Sequence, residues 1–422
     1  MKKFLALVLA ATAASVLVAC GPSQTPGELT PEQTAAWEGM HLRVAGYRLF
    51  NDDPLNYEYA AGAEKFAEKY KTQPIEFLVG GGAGADDDLV AAVTSGDPWD
   101  VQLCYGISAL PAPIIAGVYT PLTDYINLDD ERIDKVTVEA TRYNGELYGV
   151  SNINMQEFSY ACYNETWFKE LGVKTPHERF AEGSWDTDGF MEMVAELKTK
   201  GAKTAMNPGR PNVVGRYMSK FHEDGTAEIT YDSQENVDWL NMWRDLIYTA
   251  QYKLEGTGEP GSIATRKSAF FDEVFPNLIK WELSKDTTDT LRYIHFPQQG
   301  TGVGTYFTDC HFMVPTGVSE EKIAAAVELG IFMGKEKGDL CDAMYKENMT
   351  EEDYKLMHEN LDNGYFIPQF FDASIWPTYS AKFLEDCAAG KPVTAHIQEN
   401  LGALQAACDD FNAKVKEMKA RQ

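Results

Sequence analysis

Basic residues are scarce in this sequence. Its 422 residues include 37 Lys and Arg against 64 Asp and Glu, which gives a formal net charge of −27 at pH 7. A surface this acidic repels the phosphate backbone of nucleic acids and the anionic headgroups of lipids. The charge balance therefore excludes a general nucleic-acid-binding protein and a protein held on a membrane by a basic patch.

The motifs of common hydrolases and nucleotide-binding enzymes are also missing. The sequence has no Gly-x-Ser-x-Gly, no His-Glu-x-x-His and no Gly-x-x-x-x-Gly-Lys-Ser/Thr. Its seven histidines are scattered along the sequence. With 64 acidic residues, some pair of carboxylates is always present, so such a pair does not indicate a catalytic site. We therefore predict a protein that is not an enzyme and has no cofactor or metal site. Energy from ATP would have to come through a separate partner.

Cysteine pairs with metal-ligand or redox spacing are lacking, since none of the seven cysteines belongs to a Cys-x-x-Cys motif. Cys20 stands apart in the N-terminal segment. Most of the other six are predicted to be small buried hydrophobic residues, and their pairing into disulfides stays open: Cys104, Cys162, Cys310, Cys341, Cys387 and Cys408.

The apolar run at residues 4–18 is too short for a transmembrane helix and follows the positive start Met1-Lys2-Lys3. This order is typical of a secretory signal peptide. The segment 17–21, Leu-Val-Ala-Cys-Gly, resembles the bacterial lipobox, whose cysteine is diacylated, and two acyl chains give stable anchoring. We predict a signal peptide over residues 1–19, lipid attachment at Cys20 and a tether over residues 20–40. An ordinary signal peptide that happens to contain a cysteine is the alternative. Either way the protein is expected outside the cytoplasm, at the cell surface or in the periplasm.

The body of the chain alternates strand and helix patterns. Short strand-like runs at 41–47, 75–79 and 101–105 are separated by two helical patterns, the first with apolar residues at Ala63, Phe66, Ala67 and Tyr70. Such a βαβαβ order predicts a parallel sheet with helical crossovers, hence an α/β fold. Two later helices are predicted, one with an apolar face from Phe190 to Leu197 and one from Ile397 to Val415.

Several segments, taken in chain order, carry a family resemblance. The segments are 94–101, in which Trp99 is an insertion, the hairpin 143–150, the strand and helix 163–173, the helix start 184–186, the strand 294–297 and the helix 324–333. Together they resemble the extracellular solute-binding proteins of bacterial ABC importers, in the maltose-binding-protein-like family 1. Each segment has low specificity, and the resemblance rests on their order along nearly the whole mature chain.

The resemblance implies two α/β lobes joined by a hinge, with a ligand cleft between them. The first lobe would comprise residues 41–155 plus 298–342, and the second would comprise 156–297 plus 343–422. Ligands of α/β sheets settle at the carboxyl ends of strands, where the loops converge. The implied partner is an ABC transporter permease with a separate ATPase, and a monomer is expected.

A sugar site needs aromatic plates and polar side chains that exchange hydrogen bonds with hydroxyls. The resemblance assigns Glu157 to a sugar-contacting glutamate and Trp376 to a stacking tryptophan. Phe275 and Trp281 compete for a second plate, with core packing as the alternative for either. The remaining candidates lie at strand ends or crossovers of the implied fold: Tyr47, Asp53, Tyr105, Tyr306 and Asp309.

The expected ligand is a carbohydrate, with an oligosaccharide favoured. A non-sugar solute on the same fold is the alternative, because function follows the site and not the fold. A polyamine would use carboxylates and aromatic rings, and a phosphate ester would use an arginine such as Arg210 or Arg216. An extracellular hydrolase is the least favoured hypothesis for the function.

Overall fold

The computed structural model describes most of the chain from residue 29 onward. The described ranges are 29–46, 57–78, 87–105, 112–152, 157–158, 160–204, 219–222, 224–255, 261–271, 287–297, 306–308, 310–362, 365–366 and 375–421. The predicted signal peptide and Cys20 lie outside these ranges. The described part of the chain is mixed α/β, as predicted.

The helices differ greatly in length. They are α1 (Pro31–Ala35), α2 (Tyr57–Tyr70), α3 (Asp87–Ser95), α4 (Ala112–Ile115), α5 (Lys135–Glu139), α6 (Glu165–Leu171), α7 (Pro176–Ala181), α8 (Thr187–Thr199), α9 (Gln234–Tyr248), α10 (Glu320–Asn348), α11 (Glu351–Asp362), α12 (Ile375–Ala388) and α13 (Val393–Arg421). A 3-10 helix spans Thr123–Tyr125. No helix in the described ranges has both the length and the apolar character needed to cross a membrane.

The strands are short and are distributed over several sheets. They are β1 (Arg43–Gly46), β2 (Glu76–Phe77), β3 (Val101–Tyr105), β4 (Gly149–Val150), β5 (Glu157–Phe158), β6 (Tyr160–Asn164), β7 (Ser219–Phe221), β8 (Ala227–Ile229), β9 (Phe270–Phe271), β10 (Leu291–His295), β11 (Tyr306–Thr308), β12 (Cys310–Met313) and β13 (Tyr365–Phe366). Their orders are β2-β1-β3-β12-β4, β10-β6-β9, β13-β11-β5 and β7-β8.

The five-stranded sheet contains the predicted βαβαβ unit. Strand β1 pairs in parallel with both β2 and β3, which confirms the parallel arrangement. Strand β12 then enters between β3 and β4 and is antiparallel to both. Residues 310–313 therefore belong to the same sheet as residues 43–46. Local periodicity of the sequence does not predict this long-range pairing.

Helices α2 and α10 cover this sheet and pack closely on each other. Gly62 of α2 allows the approach, since a Cβ at this position would lie 2.7 Å from Met333 Cα. Phe66 of α2 is fully buried. Its ring contacts the ring of Phe332 of α10 edge to face, with ring centroids 5.8 Å apart. We call this the first core, and it includes Trp37, Leu42, Val101, Val150, Phe312 and residues Ile323 to Met333 of α10.

The sheet β10-β6-β9 is antiparallel throughout and supports a second core. This core is rich in aromatic residues, including Trp185, Phe190, Trp239, Trp243, Phe270 and Phe296. Trp185 is buried just before the start of α8, and its Nε1 donates to the carbonyl of His295 at 2.9 Å. A large share of the aromatic residues is thus used in packing.

Two predicted amphipathic helices are confirmed. The apolar positions Phe190, Met193, Val194 and Leu197 of α8 are all buried, and the chain leaves the helix at Gly201 with φ +78°. In α13, Ile397, Leu404, Cys408, Phe411 and Val415 are buried. The helix predicted at 324–333 is also present, but it extends over 29 residues because Cys341 and Tyr345 continue its buried face into a third cluster.

The third cluster joins α10 and α11 to strands β6 and β10. Asp353 of α11 lies at the contact between these elements, and its side chain is fully shielded from solvent. It accepts hydrogen bonds from Arg292 Nε at 2.9 Å and from the Tyr293 amide at 3.0 Å. His177 Nε2 lies 2.9 Å from the same carboxylate. These partners hold the pKa of Asp353 below its usual value despite burial, so the carboxylate is charged at neutral pH.

Five cysteines are buried, as predicted for most of them: Cys104, Cys162, Cys341, Cys387 and Cys408. The hairpin prediction at 143–150 is confirmed as well. Asn144 and Gly145 have φ of 50° and 87°, and Tyr143 bridges to Glu146. Positive φ at both central residues is the signature of a tight hairpin turn. The lobe boundaries at residues 155, 297 and 342 stay predictions.

Candidate functional site

Two of the predicted site residues, Glu157 and Tyr306, lie on one small sheet. The small sheet β13-β11-β5 collects three separate passages of the chain. Glu157 opens β5 and is paired with Thr308 of β11. Tyr306 opens β11 and is paired with Tyr365 of β13. Glu157 and Tyr306, far apart in sequence, therefore lie on the same three-stranded sheet.

Tyr105 lies in the five-stranded sheet and not in this three-stranded sheet. It is the last residue of β3 and is paired with Cys310, the first residue of β12. Strand β12 begins two residues after Thr308, the last residue of β11, and residue 309 between them lies outside the described ranges. Two consecutive strands of the chain, β11 and β12, thus belong to the sheet of Glu157 and Tyr306 and to the sheet of Tyr105, respectively.

Local packing fixes the strand pair that carries Tyr105. Cys104 is fully buried, with its Sγ 3.1 Å from Tyr119 Oη and 3.4 Å from Met313 Sδ. His311, its partner across the ladder, is also buried, and its Nε2 lies 2.8 Å from the carbonyl oxygen of Thr137. Burial lowers the pKa of His311 to about 4, against the opposing effect of this hydrogen bond. The ring is therefore neutral at pH 7 and donates from Nε2.

Asn152, two residues after β4, is held by contacts with helix α10 and with residue 132. A Cβ at Gly338 of α10 would overlap with Asn152 Oδ1, so the glycine permits this close contact. Asn152 Nδ2 in turn donates to the carbonyl of Arg132 at 3.4 Å. The long helix that contributes to both the first core and the third cluster thus also contacts the chain just after β4.

Trp376 is the second residue of α12 and lies ten residues beyond Phe366 of β13. The body of α12 is anchored in the second core by Phe383 and Cys387, both buried. The other predicted site residues, Tyr47, Asp53, Phe275, Trp281 and Asp309, lie outside the described residues. Their assignment to a ligand site, like that of Tyr105, Glu157, Tyr306 and Trp376, stays a prediction.

Two positions in this sheet were missed by the sequence reasoning. Thr308 and Tyr365 share the ladder with Glu157 and Tyr306. Only the pairing of strands from three distant segments places them there. The nearest signal in the sequence is that Tyr365 stands eleven residues before the predicted stacking residue Trp376.

In the described residues, no group of three or more His, Cys, Asp or Glu side chains is arranged to hold a metal ion. The chemistry on the strands is of another kind. It comprises tyrosines, a threonine and a glutamate, which suit hydrogen bonding and stacking with a neutral polyol.

Comparison of the fold with solved structures gives a consistent group of neighbours. An ABC substrate-binding protein from Listeria monocytogenes in complex with cycloalternan is similar over 89% of this chain and 99% of its own, with 16% identity and a TM-score of 0.62. UgpB from Mycobacterium tuberculosis in complex with glycerophosphocholine is similar over 87% of this chain and 98% of its own, with 15% identity and a TM-score of 0.64.

A cyclo/maltodextrin-binding protein complexed with maltotetraose is similar over 87% of this chain and 96% of its own, with 16% identity and a TM-score of 0.61. These neighbours are solute-binding proteins, not enzymes. No family model matches the sequence, and no curated protein does either. The comparisons therefore show the fold: the chain has the two-lobed α/β fold of ABC extracellular solute-binding proteins, as the sequence resemblance implied.

Proposed function

We propose that this protein is an extracytoplasmic solute-binding protein that captures a carbohydrate, with an oligosaccharide favoured, and delivers it to an ABC transporter permease. The observation that carries the proposal is that Glu157 of β5 and Tyr306 of β11 share a three-stranded sheet in a chain with a solute-binding fold. Fold neighbours bound to cycloalternan and maltotetraose support the sugar class.

The proposed mechanism is capture in an open cleft, closure of the lobes around the solute and docking of the closed form on the permease. Hinge closure of this kind is a known behaviour of periplasmic binding proteins. A ligand drives it only through its higher affinity for the closed state. The protein performs no chemistry in this scheme, and ATP hydrolysis belongs to a separate subunit. The lobes would be 41–155 plus 298–342 and 156–297 plus 343–422, with a lipid anchor at Cys20.

A phosphate ester is the second candidate ligand, because the neighbour from Mycobacterium tuberculosis holds glycerophosphocholine on the same fold. Such a ligand needs a cation or backbone amides to neutralise its phosphate. The strand residues at the crossings offer a carboxylate and hydroxyls instead, which favours the carbohydrate.

Thermal unfolding of the chain from residue 21 onward, measured against a panel of solutes, tests the proposal. The panel contains maltotetraose, mannotriose, cycloalternan, glycerophosphocholine and spermidine. A ligand that binds only the folded state stabilises it by about 2.7 kcal/mol at a hundredfold excess over Kd. We expect a higher melting temperature with a glycan that mass spectrometry recovers intact. A shift with glycerophosphocholine or spermidine alone would contradict the sugar class, and cleavage of the glycan would contradict a binding role.

The Trp376→Ala variant tests the predicted stacking residue. Loss of a buried aromatic contact should weaken sugar binding by about 1–3 kcal/mol while the melting temperature of the free protein changes little. The conservative Trp376→Phe variant should recover most of the affinity. Val136→Ala serves as the control, because Val136 is exposed on α5, which carries none of the predicted site residues. Unchanged affinity in a folded Trp376→Ala protein would remove Trp376 from the site.

A further inference from the structure

A hairpin and the last helix of the predicted second lobe form one unit. Strands β7 and β8 are antiparallel, and β8 is held on α13 by Asn412. The Oδ1 of Asn412 accepts from the Ala227 amide at 2.7 Å, and its Nδ2 donates to the Ala227 carbonyl at 2.8 Å. Phe221 and Phe411 pack edge to face, with ring centroids 5.9 Å apart. We call β7, β8, the turn between them and residues 408–418 of α13 the outer strap.

The outer strap reaches across to the five-stranded sheet of the predicted first lobe. Tyr143 Oη donates to the carbonyl of Gly225, in the turn between β7 and β8, at 3.1 Å, and this contact is buried. Met418, near the end of α13, packs against the cluster around Cys104, on the sheet face opposite the first core. Ile115 of α4 packs against both this cluster and the apolar residues of the outer strap. The two predicted lobes therefore touch here as well as at the chain crossings.

The contact made by Tyr143 lies at the amino end of the parallel strands. Met313 of β12 is paired with Gln102, the second residue of β3, and with Gly149, the first residue of β4. Strands β3 and β4 are both antiparallel to β12, so they run in the same direction and begin at the same edge of the sheet. Tyr143 belongs to the hairpin that leads into β4 and lies at this edge. Ligands of α/β sheets settle at the opposite edge, where the parallel strands end.

We infer that the outer strap opposes closure of the lobes and thereby limits the affinity for the solute. Closure would bring the predicted second lobe toward the carboxyl ends of β1 and β3, about the crossing that follows β4. A contact at the amino end of β4 lies beyond this crossing, so the same rotation draws Gly225 away from Tyr143 and breaks the contact. The solute must offset that loss, because it drives closure only by its higher affinity for the closed state. The inference rests on the proposed function and adds to it a control of affinity outside the ligand cleft.

Weakening the outer strap should tighten binding, whereas damage to the fold or to the cleft would weaken it. Tyr143→Phe removes the hydrogen bond to Gly225 and should lower Kd by about 2- to 10-fold, the range for one hydrogen bond. Gly225→Ala should lower Kd by at least about 5-fold, because its Cβ would lie 2.7 Å from Tyr143 Oη and force the hairpin away. Isothermal titration calorimetry with maltotetraose, mannotriose and cycloalternan measures both changes.

Hydrogen exchange of the wild-type protein gives a second readout, because a contact that serves stability alone would stay in place when solute binds. Closure should instead expose the turn at Gly225 and the hairpin at Tyr143. A saturating glycan should therefore speed amide exchange at residues 224–226 and 143–146. Equal or slower exchange in both segments on adding the glycan contradicts the inference.

Gly390→Ala is the matched control for Gly225→Ala. The two glycines have nearly the same positive φ, 77° and 76°, so alanine carries a similar backbone cost at either position. A Cβ at Gly390 would meet no atom within 4 Å, and Kd should stay within about 2-fold of the wild-type value. If the wild-type protein binds a glycan and Gly225→Ala and Tyr143→Phe bind it no more tightly than Gly390→Ala, the inference fails while the proposed function stands. If the folded wild-type protein binds none of the three glycans at millimolar concentration, both fail.

Discussion

At the scale of single residues, burial decides which side chains carry charge. His311 and His295 are both buried, and burial lowers the pKa of each to about 4. For His295 the neighbouring His177 contributes in the same direction. In an unfolded chain a histidine titrates near pH 6.5. The folded state therefore binds fewer protons than the unfolded state between pH 6.5 and 4, so folding stability is full above this window and is lost as the pH falls through it.

We expect the free energy of unfolding to fall by about 2 kcal/mol for each of these histidines between pH 7 and pH 5. In His311→Gln the loss over this interval should be smaller by that amount, whatever the change in stability at pH 7. Urea unfolding at the two pH values measures it. His222→Gln is the control, because His222 is exposed and pairs with Glu228 only at 3.7 Å. An equal pH dependence in wild type and His311→Gln would contradict the prediction.

Particular residues also show which structural features the sequence predicts. Patterns confined to one element, such as the buried series of α8 or the turn at Asn144-Gly145, are predictable because sequence neighbours alone determine them. The ladder that places Tyr365 beside Tyr306 depends on strands from distant segments. No local pattern encodes it. The family resemblance indicated Glu157 and Tyr306 as candidate site residues, whereas no sequence motif includes Thr308 or Tyr365.

At the scale of elements, the close packing of α2 on α10 restricts which residue can stand at position 62. Glycine inside a helix is normally less favourable than alanine by about 1 kcal/mol. At position 62, however, a Cβ would lie 2.7 Å from both the Met333 Cα and the Phe332 carbonyl oxygen. Both are backbone atoms and cannot rotate away. The steric cost should therefore exceed the gain in helix propensity.

We predict that Gly62→Ala destabilises the protein by about 1–3 kcal/mol, the usual cost of overpacking. Chemical denaturation monitored by far-ultraviolet circular dichroism measures it. Gly402→Ala is a matched control, because Gly402 lies inside helix α13 with no atom within 4 Å of an added Cβ. That substitution should stabilise by a few tenths to about 1 kcal/mol. A Gly62→Ala protein as stable as Gly402→Ala would show that the helices separate at no cost.

At the scale of the whole molecule, helix α10 couples the two parts of the fold. Its residues Ile323 to Met333 belong to the first core, and Cys341 and Tyr345 belong to the third cluster, which packs on β6 and β10. Lys335 lies between these two groups and is partly exposed, where it pairs with Asp339 one turn later. A break at this point would leave both sets of contacts in place but remove the rigid connection between them.

Lys335→Pro should lower the free energy of unfolding by about 3 kcal/mol or more, since proline removes a helical hydrogen bond and clashes with the preceding turn. Lys335→Ala removes only an exposed ion pair and should change it by less than about 0.5 kcal/mol. Hydrogen exchange should also become faster in α10 around the proline. If the two variants unfold at the same urea concentration, the helix is not the coupling element.

The order of strands in the first sheet has a consequence for how the protein is made. Strand β3 can pair with β1 early, but among the described strands β4 and the other edge of β3 find their neighbour only in β12, which begins at Cys310 and lies between them. At about 5–20 residues per second, the nascent chain waits roughly 10 to 40 seconds between β3 and β12. Such long-range pairing also slows folding itself. The first sheet therefore cannot be completed until about three quarters of the chain has been synthesised.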